Sequence, residues 1–495
     1  MSRRLYRALV ALSACVALCP GSLRAQGLSP REVASLDDWY QRVNGRTAGG
    51  SWGIAIGRMD GRILWSVSPY EELIPASTTK LFTTGFSRSR MGGAGRITTR
   101  VVGDGELDRA SGRWLGTWAL ELGGDPTLER TGRSGPRLLA LARRLRARGV
   151  RTLNGPLALT SRTGPAASRY PAAWSASFEG QLYAPPVGPV ALHENTISLT
   201  FRPGIEIGAP PSVVSAYPAG VERLVRISAT TVGGSGSRLS LVPNTDGGWT
   251  LKGSVGVYRR TAGLSAVAYD PSRLLAVAWA AALQGAGIRW TNPGGPVTLA
   301  PQGTRVLAQV ESEPFDSVAK EVNRRSLNIG AELMLQWAAG SQTAGPELVT
   351  RHVREVVGPR ARVQFVDGSG LSDLNRISPL TQMLYLARYP QLPGNSRFPL
   401  LLPANGTGTL RRLRAGMGRG VVHAKTGTLD HVAALAGYLG RSDGVLVLSL
   451  MYNGRRIHQA RAAEWELFRL LGAEGVALDG ALEAQMGGDS TGSDQ

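Results

Sequence analysis

The stretch Ser77-Thr78-Thr79-Lys80, whose serine stands two positions after Pro75, is the most informative part of this 495-residue sequence. A proline just before the serine fits the first turn of a helix, so Ser77 is predicted to lie near a helix N-terminus. At a spacing of three, the serine and lysine side chains emerge on one helix face, within hydrogen-bonding reach. The pattern indicates a serine nucleophile beside a lysine base. A solvated helix face is the ordinary alternative for so short a pattern.

Lysine is scarce in this chain, which makes the surviving lysines informative. Four lysines, Lys80, Lys252, Lys320 and Lys425, stand against 52 arginines. An ammonium can lose its proton and act as a base, whereas a guanidinium effectively cannot. Lysine acts as a base only if burial or a second cation depresses its pKa. Lys80 and Lys425 lie in motifs where that chemistry is needed. Lys252 and Lys320 do not lie in such motifs.

A second short motif is Ser326-Leu327-Asn328, followed by an apolar stretch of helical character from Ile329 to Trp337. A hydroxyl here can relay protons, and an amide can hold a substrate carbonyl. The ordinary alternative is a helix cap, because serine and asparagine are favoured at helix ends.

The third motif is Lys425-Thr426-Gly427-Thr428, at the end of a predicted strand. A lysine and threonine hydroxyls can bind a substrate carboxylate. The glycine leaves room for an extended peptide to lie along the strand edge. Two further predicted strands flank this one, which makes the motif more specific than the other two.

The first 25 residues are predicted to be a secretory signal peptide, because arginines precede the short apolar run Ala8–Leu18. Cleavage after Ala25 would remove both cysteines, Cys15 and Cys19, which excludes disulfides and thiolate metal sites. A lipoprotein box ending at Cys15 remains the alternative. The mature protein is predicted to be soluble, without a transmembrane anchor, in the periplasm or cell envelope.

The composition is that of a globular protein, with 42% hydrophobic and 19% charged residues. The formal net charge of +20 suits anionic cell-wall polymers or membrane headgroups, although a merely solvated basic surface fits equally well. Nucleic acid is a poor candidate, because no recognised binding motif is present. The five histidines show no metal-ligand spacing, so neither a metal nor another cofactor is predicted.

The distribution of helical and strand-like segments along the sequence predicts a discontinuous catalytic domain, residues 26–95 and 304–480. Between its parts, residues 96–303 alternate short strand-like runs with Gly, Pro and Ser turns, and are predicted to be an inserted β-rich region of two nested modules. Residues 486–495 are predicted to be a disordered tail.

Together, in this order, the three motifs resemble the signature of penicillin-recognising serine enzymes. Ser77 and Ser326 are 249 positions apart. This long spacing resembles that of the class C low-molecular-mass penicillin-binding proteins, the DacB-type D-alanyl-D-alanine carboxypeptidase/endopeptidases. That family carries a large insertion between its first two motifs. The resemblance extends from about Val33 to Leu471. Further similar stretches are Gly123–Leu128, Tyr183–Pro185, Asp367–Ser372 and His423–Leu429.

The resemblance implies an α+β, transpeptidase-like (β-lactamase-like) fold, with an antiparallel sheet flanked by helices. It also implies hydrolysis of peptidoglycan stem peptides by a serine-type D-Ala-D-Ala carboxypeptidase, with β-lactams as covalent inhibitors. The implied roles are the nucleophile for Ser77, its base for Lys80, proton relay for Ser326, substrate positioning for Asn328, carboxylate binding for Lys425, Thr426 and Thr428, and an oxyanion hole from the N–H groups of Ser77 and Thr428.

Two positions depart from the family pattern, and one is a loose match to it. Leu327 stands where a polar residue is frequent, and Asp373 stands where an arginine is common. Glu179, between Trp174 and Tyr183, is the nearest acid for reading the amine of the stem-peptide diamino acid, or it is an ordinary surface carboxylate. The remaining functional alternatives are a serine β-lactamase or esterase on the same scaffold, and a non-catalytic wall-binding protein.

Overall fold

A computed structural model describes residues 27–130, 135–298, 305–413 and 417–487. The predicted signal peptide, its lipoprotein alternative and residues 488–495 of the predicted tail lie outside the described residues. In the described parts of the chain, no helix is both long enough and apolar enough to cross a membrane.

Along the chain, the strands of the five-stranded sheet, β1, β2 and β19 to β21, are separated by β3 to β16, which form other sheets. The helices are α1 (Pro30–Arg46), α2 (Lys80–Met91), α3 (Leu138–Ala147), α4 (Pro271–Gly285), α5 (Phe315–Arg325), α6 (Asn328–Ala339), α7 (Gly345–Val357), α8 (Pro379–Arg388), α9 (Ile457–Gly472) and α10 (Leu478–Gly487). The strands are β1 (Ser51–Arg58), β2 (Ile63–Val67), β3 (Thr98–Asp108), β4 (Arg113–Glu121), β5 (Thr152–Asn154), β6 (Ala158–Thr160), β7 (Thr196–Arg202), β8 (Ser212–Tyr217), β9 (Val225–Ile227), β10 (Thr230–Val232), β11 (Ser237–Pro243), β12 (Trp249–Gly256), β13 (Ala262–Val267), β14 (Arg289–Thr291), β15 (Val297–Thr298), β16 (Arg305–Glu311), β17 (Val363–Gln364), β18 (Arg376–Ile377), β19 (Val422–Leu429), β20 (Val432–Arg441) and β21 (Gly444–Asn453).

A five-stranded antiparallel sheet joins the two ends of the chain. Its order is β19-β20-β21-β1-β2, so a C-terminal three-stranded unit pairs with the N-terminal hairpin. Apolar clusters cover both faces of this sheet: α2 and α5 to α8 contribute to one, and α1 and α9 to the other. Because both faces are covered, β20 and β21 are buried almost throughout.

The strands between β3 and β16 form separate sheets with their own apolar core. The largest has the order β14-β5-β4-β3-β16, and α3 and α4 also lie within this region. β3 and β16 are antiparallel neighbours, with Thr98 opposite Glu311. The chain therefore leaves the region of the five-stranded sheet and returns to it at adjacent strands.

Ser326 adopts a left-handed conformation (φ 60°) that ends α5, so α5 and α6 are separate helices. One detail differs from the sequence predictions. Helix α10 extends to Gly487 and so includes two residues of the predicted disordered tail; Leu478, Ala481 and Leu482 of this helix pack against the core.

Candidate active site

Ser77 and Lys80 are in direct contact. Ser77 lies in a 3₁₀ turn over Ala76–Thr79, and α2 begins at Lys80. Residues three apart eclipse one another in such a turn, and the Lys80 Nζ to Ser77 Oγ distance is 3.0 Å. Lys80 is fully buried, whereas Ser77 is half-buried. The serine is therefore partly accessible while the lysine beside it is enclosed, as the sequence pattern predicts for a nucleophile and its base.

Lys80 has two other partners, both carbonyl oxygens. Its Nζ lies 2.7 Å from Asn328 Oδ1 and 2.5 Å from the Ser369 backbone oxygen. Asn328 Nδ2 donates to the Tyr183 carbonyl at 2.8 Å, so its Oδ1 must face the lysine. The chain segment between the first two motifs thus fixes the orientation of a side chain in the second.

The electrostatics favour loss of the Lys80 proton near neutrality. Burial lowers the pKa of Lys80 to about 7, although the carboxylates of Asp367 and Glu332 oppose that shift. A buried ammonium is costly because it has lost its hydration shell. The depressed pKa is the condition under which a lysine can act as a general base.

The second and third motifs meet at Ser326 and Lys425. Lys425 Nζ lies 2.9 Å from Ser326 Oγ and 2.7 Å from the Thr426 carbonyl oxygen. Lys425 is completely buried, and burial, followed by the charges of Lys80 and Arg461, lowers its pKa well below the ordinary value. The left-handed conformation of Ser326 places its hydroxyl at the junction of α5 and α6, opposite the β19 lysine.

Gly427 lets β19 approach the serine turn closely. A Cβ at this position would lie 2.6 Å from the Pro75 carbonyl oxygen, 3.0 Å from the Ala76 Cβ and 3.0 Å from the Ser77 nitrogen. The first of these distances is shorter than any ordinary contact. The backbone of the third motif is therefore held against the backbone of Ser77, as the predicted oxyanion hole requires.

Replacing Gly427 with alanine is expected to push β19 away from Ser77 and to slow acylation roughly 10²-fold, since small displacements of reacting groups cost about that much. The rate of labelling by a fluorescent penicillin measures this effect. Gly45→Ala is the matched control, because a Cβ there meets nothing within 4 Å. Labelling of Gly427→Ala at the wild-type rate would contradict the close-approach argument.

The turn that follows Asp367 has a structural role. The Asp367 carboxylate accepts three backbone N–H groups of that turn and the Trp174 indole N–H at 3.1 Å. Glu332 accepts the N–H groups of Gly368 and Ser369 at 3.0 and 2.8 Å. Burial, together with the Asp367 charge, raises the pKa of Glu332 to about 8. These bonds fix the Ser369 carbonyl that faces Lys80.

The remaining predicted residues lie at the surface of the site or outside it. Thr426 is half-buried and Thr428 is exposed on β19. Glu179 is exposed at the end of a short 3₁₀ turn, and no hydrogen bond between described residues joins its carboxylate to the three motifs. Asp373 is likewise exposed. In the described part of the chain, no cluster of three or more His, Cys, Asp or Glu side chains could hold a metal ion.

Several residues of the site were missed by sequence reasoning. Glu332 lies one helical turn after Asn328, and that spacing could have identified it. Ser369 and Tyr183 contribute backbone carbonyls, which every residue type has, so the sequence does not identify these two positions. Arg461 contacts Gly427 and Thr428 from α9, but nothing in the sequence separates it from the other arginines.

Comparison with known proteins gives relatives over most of the chain. A D-alanyl-D-alanine carboxypeptidase from Actinomadura sp. is 27% identical over 429 residues, which cover 81% of this chain and 77% of that protein. A carboxypeptidase from Mycobacterium tuberculosis is 27% identical over 428 residues, covering 80% and 77%.

The structural likeness confirms the predicted fold. Penicillin binding protein 4 from Haemophilus influenzae has a TM-score of 0.69 at 20% identity, covering 87% of this chain and 98% of that one. The same protein complexed with a β-lactam gives a TM-score of 0.65. At this identity the likeness establishes the α+β, β-lactamase-like architecture, with its antiparallel sheet between helices.

The family follows from the sequence itself. Residues 33–471, close to the limits predicted from the motifs, match the D-Ala-D-Ala carboxypeptidase 3 (S13) family. The match includes all three motifs and the region between them. This chain therefore belongs to the D-Ala-D-Ala carboxypeptidase 3 (S13) family.

Proposed function

We propose that this serine-type D-Ala-D-Ala carboxypeptidase acts on peptidoglycan stem peptides through an acyl-enzyme on Ser77. It removes a terminal D-alanine, cuts cross-links, or does both. One observation carries the proposal: of the three hydrogen-bond partners that Lys80 Nζ has among the described residues, only Ser77 Oγ can donate a hydrogen bond. When Lys80 is neutral, its two N–H groups satisfy the two carbonyl oxygens. Its lone pair is then left for the Ser77 hydroxyl.

Acylation follows from that arrangement. Lys80 takes the Ser77 proton as Oγ attacks the carbonyl carbon of the penultimate D-alanine. The C–N bond then breaks, and the proton that Lys80 took passes through the hydroxyl of Ser326, which lies 2.9 Å from Lys425 Nζ, to the leaving amine. In deacylation, Lys80 takes a proton from the attacking water as the water oxygen adds to the ester carbonyl. The C–Oγ bond then breaks, Lys80 returns the proton to Ser77 Oγ, and the enzyme is regenerated.

Substrate binding is assigned to β19 and the residues around it. Lys425, Thr426 and Thr428 hold the terminal carboxylate, and the N–H groups of Ser77 and Thr428 stabilise the oxyanion. Asn328 positions the substrate, and Glu179 is the candidate for the diamino-acid amine. The close approach of Gly427 to the Ser77 nitrogen supports the pairing of the two oxyanion donors.

A β-lactam would follow the same first step and stop there, because its opened ring stays attached to the acyl carbon. The setting that suits this substrate is the periplasm or cell envelope, reached after removal of residues 1–25. We also propose the division into a catalytic domain, residues 26–95 and 304–480, and an inserted region, residues 96–303. The separate apolar cores support this division.

A single labelling experiment tests the proposal. The mature protein is incubated with a fluorescent penicillin and separated on a denaturing gel, and the labelled peptide is identified by digestion and mass spectrometry. The expected result is a stable label on the peptide that contains Ser77, together with D-alanine release from a D-Ala-D-Ala peptide. Rapid penicillin turnover without a label would indicate a β-lactamase. No reaction with either compound would indicate a non-catalytic wall-binding protein.

The pKa of Lys80 predicts how acylation depends on pH. The base must be neutral, so the rate constant should rise with pH through about 7 and level off above it. Stopped-flow acylation by a chromogenic β-lactam between pH 5 and 9 measures this profile. A rate that is constant across that range, or that rises only near the ordinary lysine pKa of about 10.4, would contradict Lys80 as the base.

A further inference from the structure

Arg461 of α9 forms hydrogen bonds with two residues of the third motif, Gly427 and Thr428. Its Nη2 donates to Thr428 Oγ1 at 2.9 Å and to the Gly427 carbonyl oxygen, and its Nη1 donates to the Ala434 carbonyl oxygen at 2.9 Å. Helix α9 packs against β20, the neighbour of β19 in the sheet. The guanidinium therefore bridges the end of the motif strand and the strand beside it.

The contact with Thr428 determines what that hydroxyl can do. A guanidinium has donors only, so the Thr428 oxygen must accept from Arg461. The hydroxyl proton is then free for another acceptor, and the cation repels it away from the guanidinium. Thr428 is exposed, so its hydroxyl proton, directed away from Arg461, is accessible to a bound substrate. The natural acceptor there is an anionic oxygen of the substrate.

Arg461 is itself firmly held. Its Nη1 donates to Glu464, whose carboxylate is completely buried one turn further along α9. The Arg461 side chain is 18% exposed, and its guanidinium lies 5.6 Å from the centre of the Trp465 ring. A planar guanidinium fixed by two carbonyls, a carboxylate and a ring cannot easily rotate away from Thr428.

We propose that Arg461 is a positioning residue for the terminal carboxylate of the substrate, acting through the Thr428 hydroxyl. It orients that hydroxyl as a donor, and its charge adds to that of Lys425. This inference rests on the proposed function, because it assumes that the carboxylate of a D-Ala-D-Ala peptide lies against Thr428. It adds a source of selectivity for substrates that end in a free carboxylate.

The test compares two substrates that differ only at the C-terminus: a peptide ending in D-Ala-D-Ala and the same peptide ending in the carboxamide. For Arg461→Lys, the preference for the acid, as the ratio of the two kcat/KM values, should fall roughly 10- to 100-fold, the loss expected for a hydrogen bond to a charged group. A purely structural defect would lower both values together and leave the ratio unchanged.

A double variant guards against misfolding. Replacing Arg461 alone leaves Glu464 buried without its partner, so Arg461→Gln combined with Glu464→Gln should fold and still lose the preference. Adding Thr428→Val to Arg461→Lys should cause little further loss, because Arg461 acts through that hydroxyl. Arg469→Lys, an exposed position on the same helix, is the matched control.

Two outcomes separate this inference from the function on which it rests. If the wild-type protein hydrolyses the acid peptide but the Arg461 variants keep the full preference, the role of Arg461 is wrong and the carboxypeptidase mechanism stands. Additive losses for the Arg461 and Thr428 changes would also overturn it. If the wild-type protein cleaves neither peptide, the proposed function itself fails.

Discussion

Ser77→Ala is expected to abolish penicillin labelling and to reduce peptide hydrolysis by on the order of 10⁶-fold, the size of loss seen when a serine nucleophile is removed. The Lys80 ammonium loses only one of three acceptors in this variant, because Asn328 and Ser369 remain. The site should therefore keep its shape. Labelling on a denaturing gel and D-alanine release measure the two losses.

Ser89→Ala provides the control, because Ser89 lies on α2, which begins at Lys80, and its hydroxyl contacts Tyr389 rather than the three motifs. It should label at the wild-type rate. A label retained in Ser77→Ala would move the nucleophile to another residue and would end the proposed mechanism. A folded Ser77→Ala protein should still bind the peptide, which separates loss of chemistry from loss of structure.

Lys80→Arg keeps the positive charge but is expected to slow acylation roughly 10²- to 10⁴-fold, the usual contribution of a general base. A guanidinium does not give up its proton near neutrality, so it cannot accept one from Ser77. The larger head group must also fit among three acceptors in a fully buried space. The second-order rate constant for acylation by a β-lactam measures the effect.

The matched control is Lys320→Arg, an exposed position on α5. This substitution should leave the acylation rate unchanged. Thermal unfolding of Lys80→Arg checks that the buried arginine is accommodated. If a folded Lys80→Arg protein acylated normally, the base would have to be another group, and the inference from lysine scarcity would be wrong.

The sequence predicted those parts of the site that depend on local spacing. The contact between Ser77 and Lys80 follows from their spacing of three residues in a helical turn. Lys252 and Lys320 are both exposed, so scarcity of lysine alone does not mark the site. The motifs were needed to separate the two kinds of lysine.

The rest of the site depends on contacts that local patterns do not encode. The orientation of Asn328 is set by a carbonyl 145 positions earlier. The Ser369 partner of Lys80 is a backbone oxygen, which any residue could supply. The pairing of β1 with β21 joins residues about 400 positions apart and follows from the tertiary fold, not from propensity.

The pairing of Thr98 with Glu311 has a consequence for how the chain finds this fold. Once β3 and β16 have paired, the effective loop between Ser77 and Ser326 shrinks from about 250 residues to about 36, which lowers the entropic cost of its closure by about 1.7 kcal/mol. The paired strands β3 and β16 then keep Ser77 and Ser326 close together. The five-stranded sheet can be completed only when the C-terminal unit of β19 to β21 pairs with β1, because its central strands come from opposite ends of the chain.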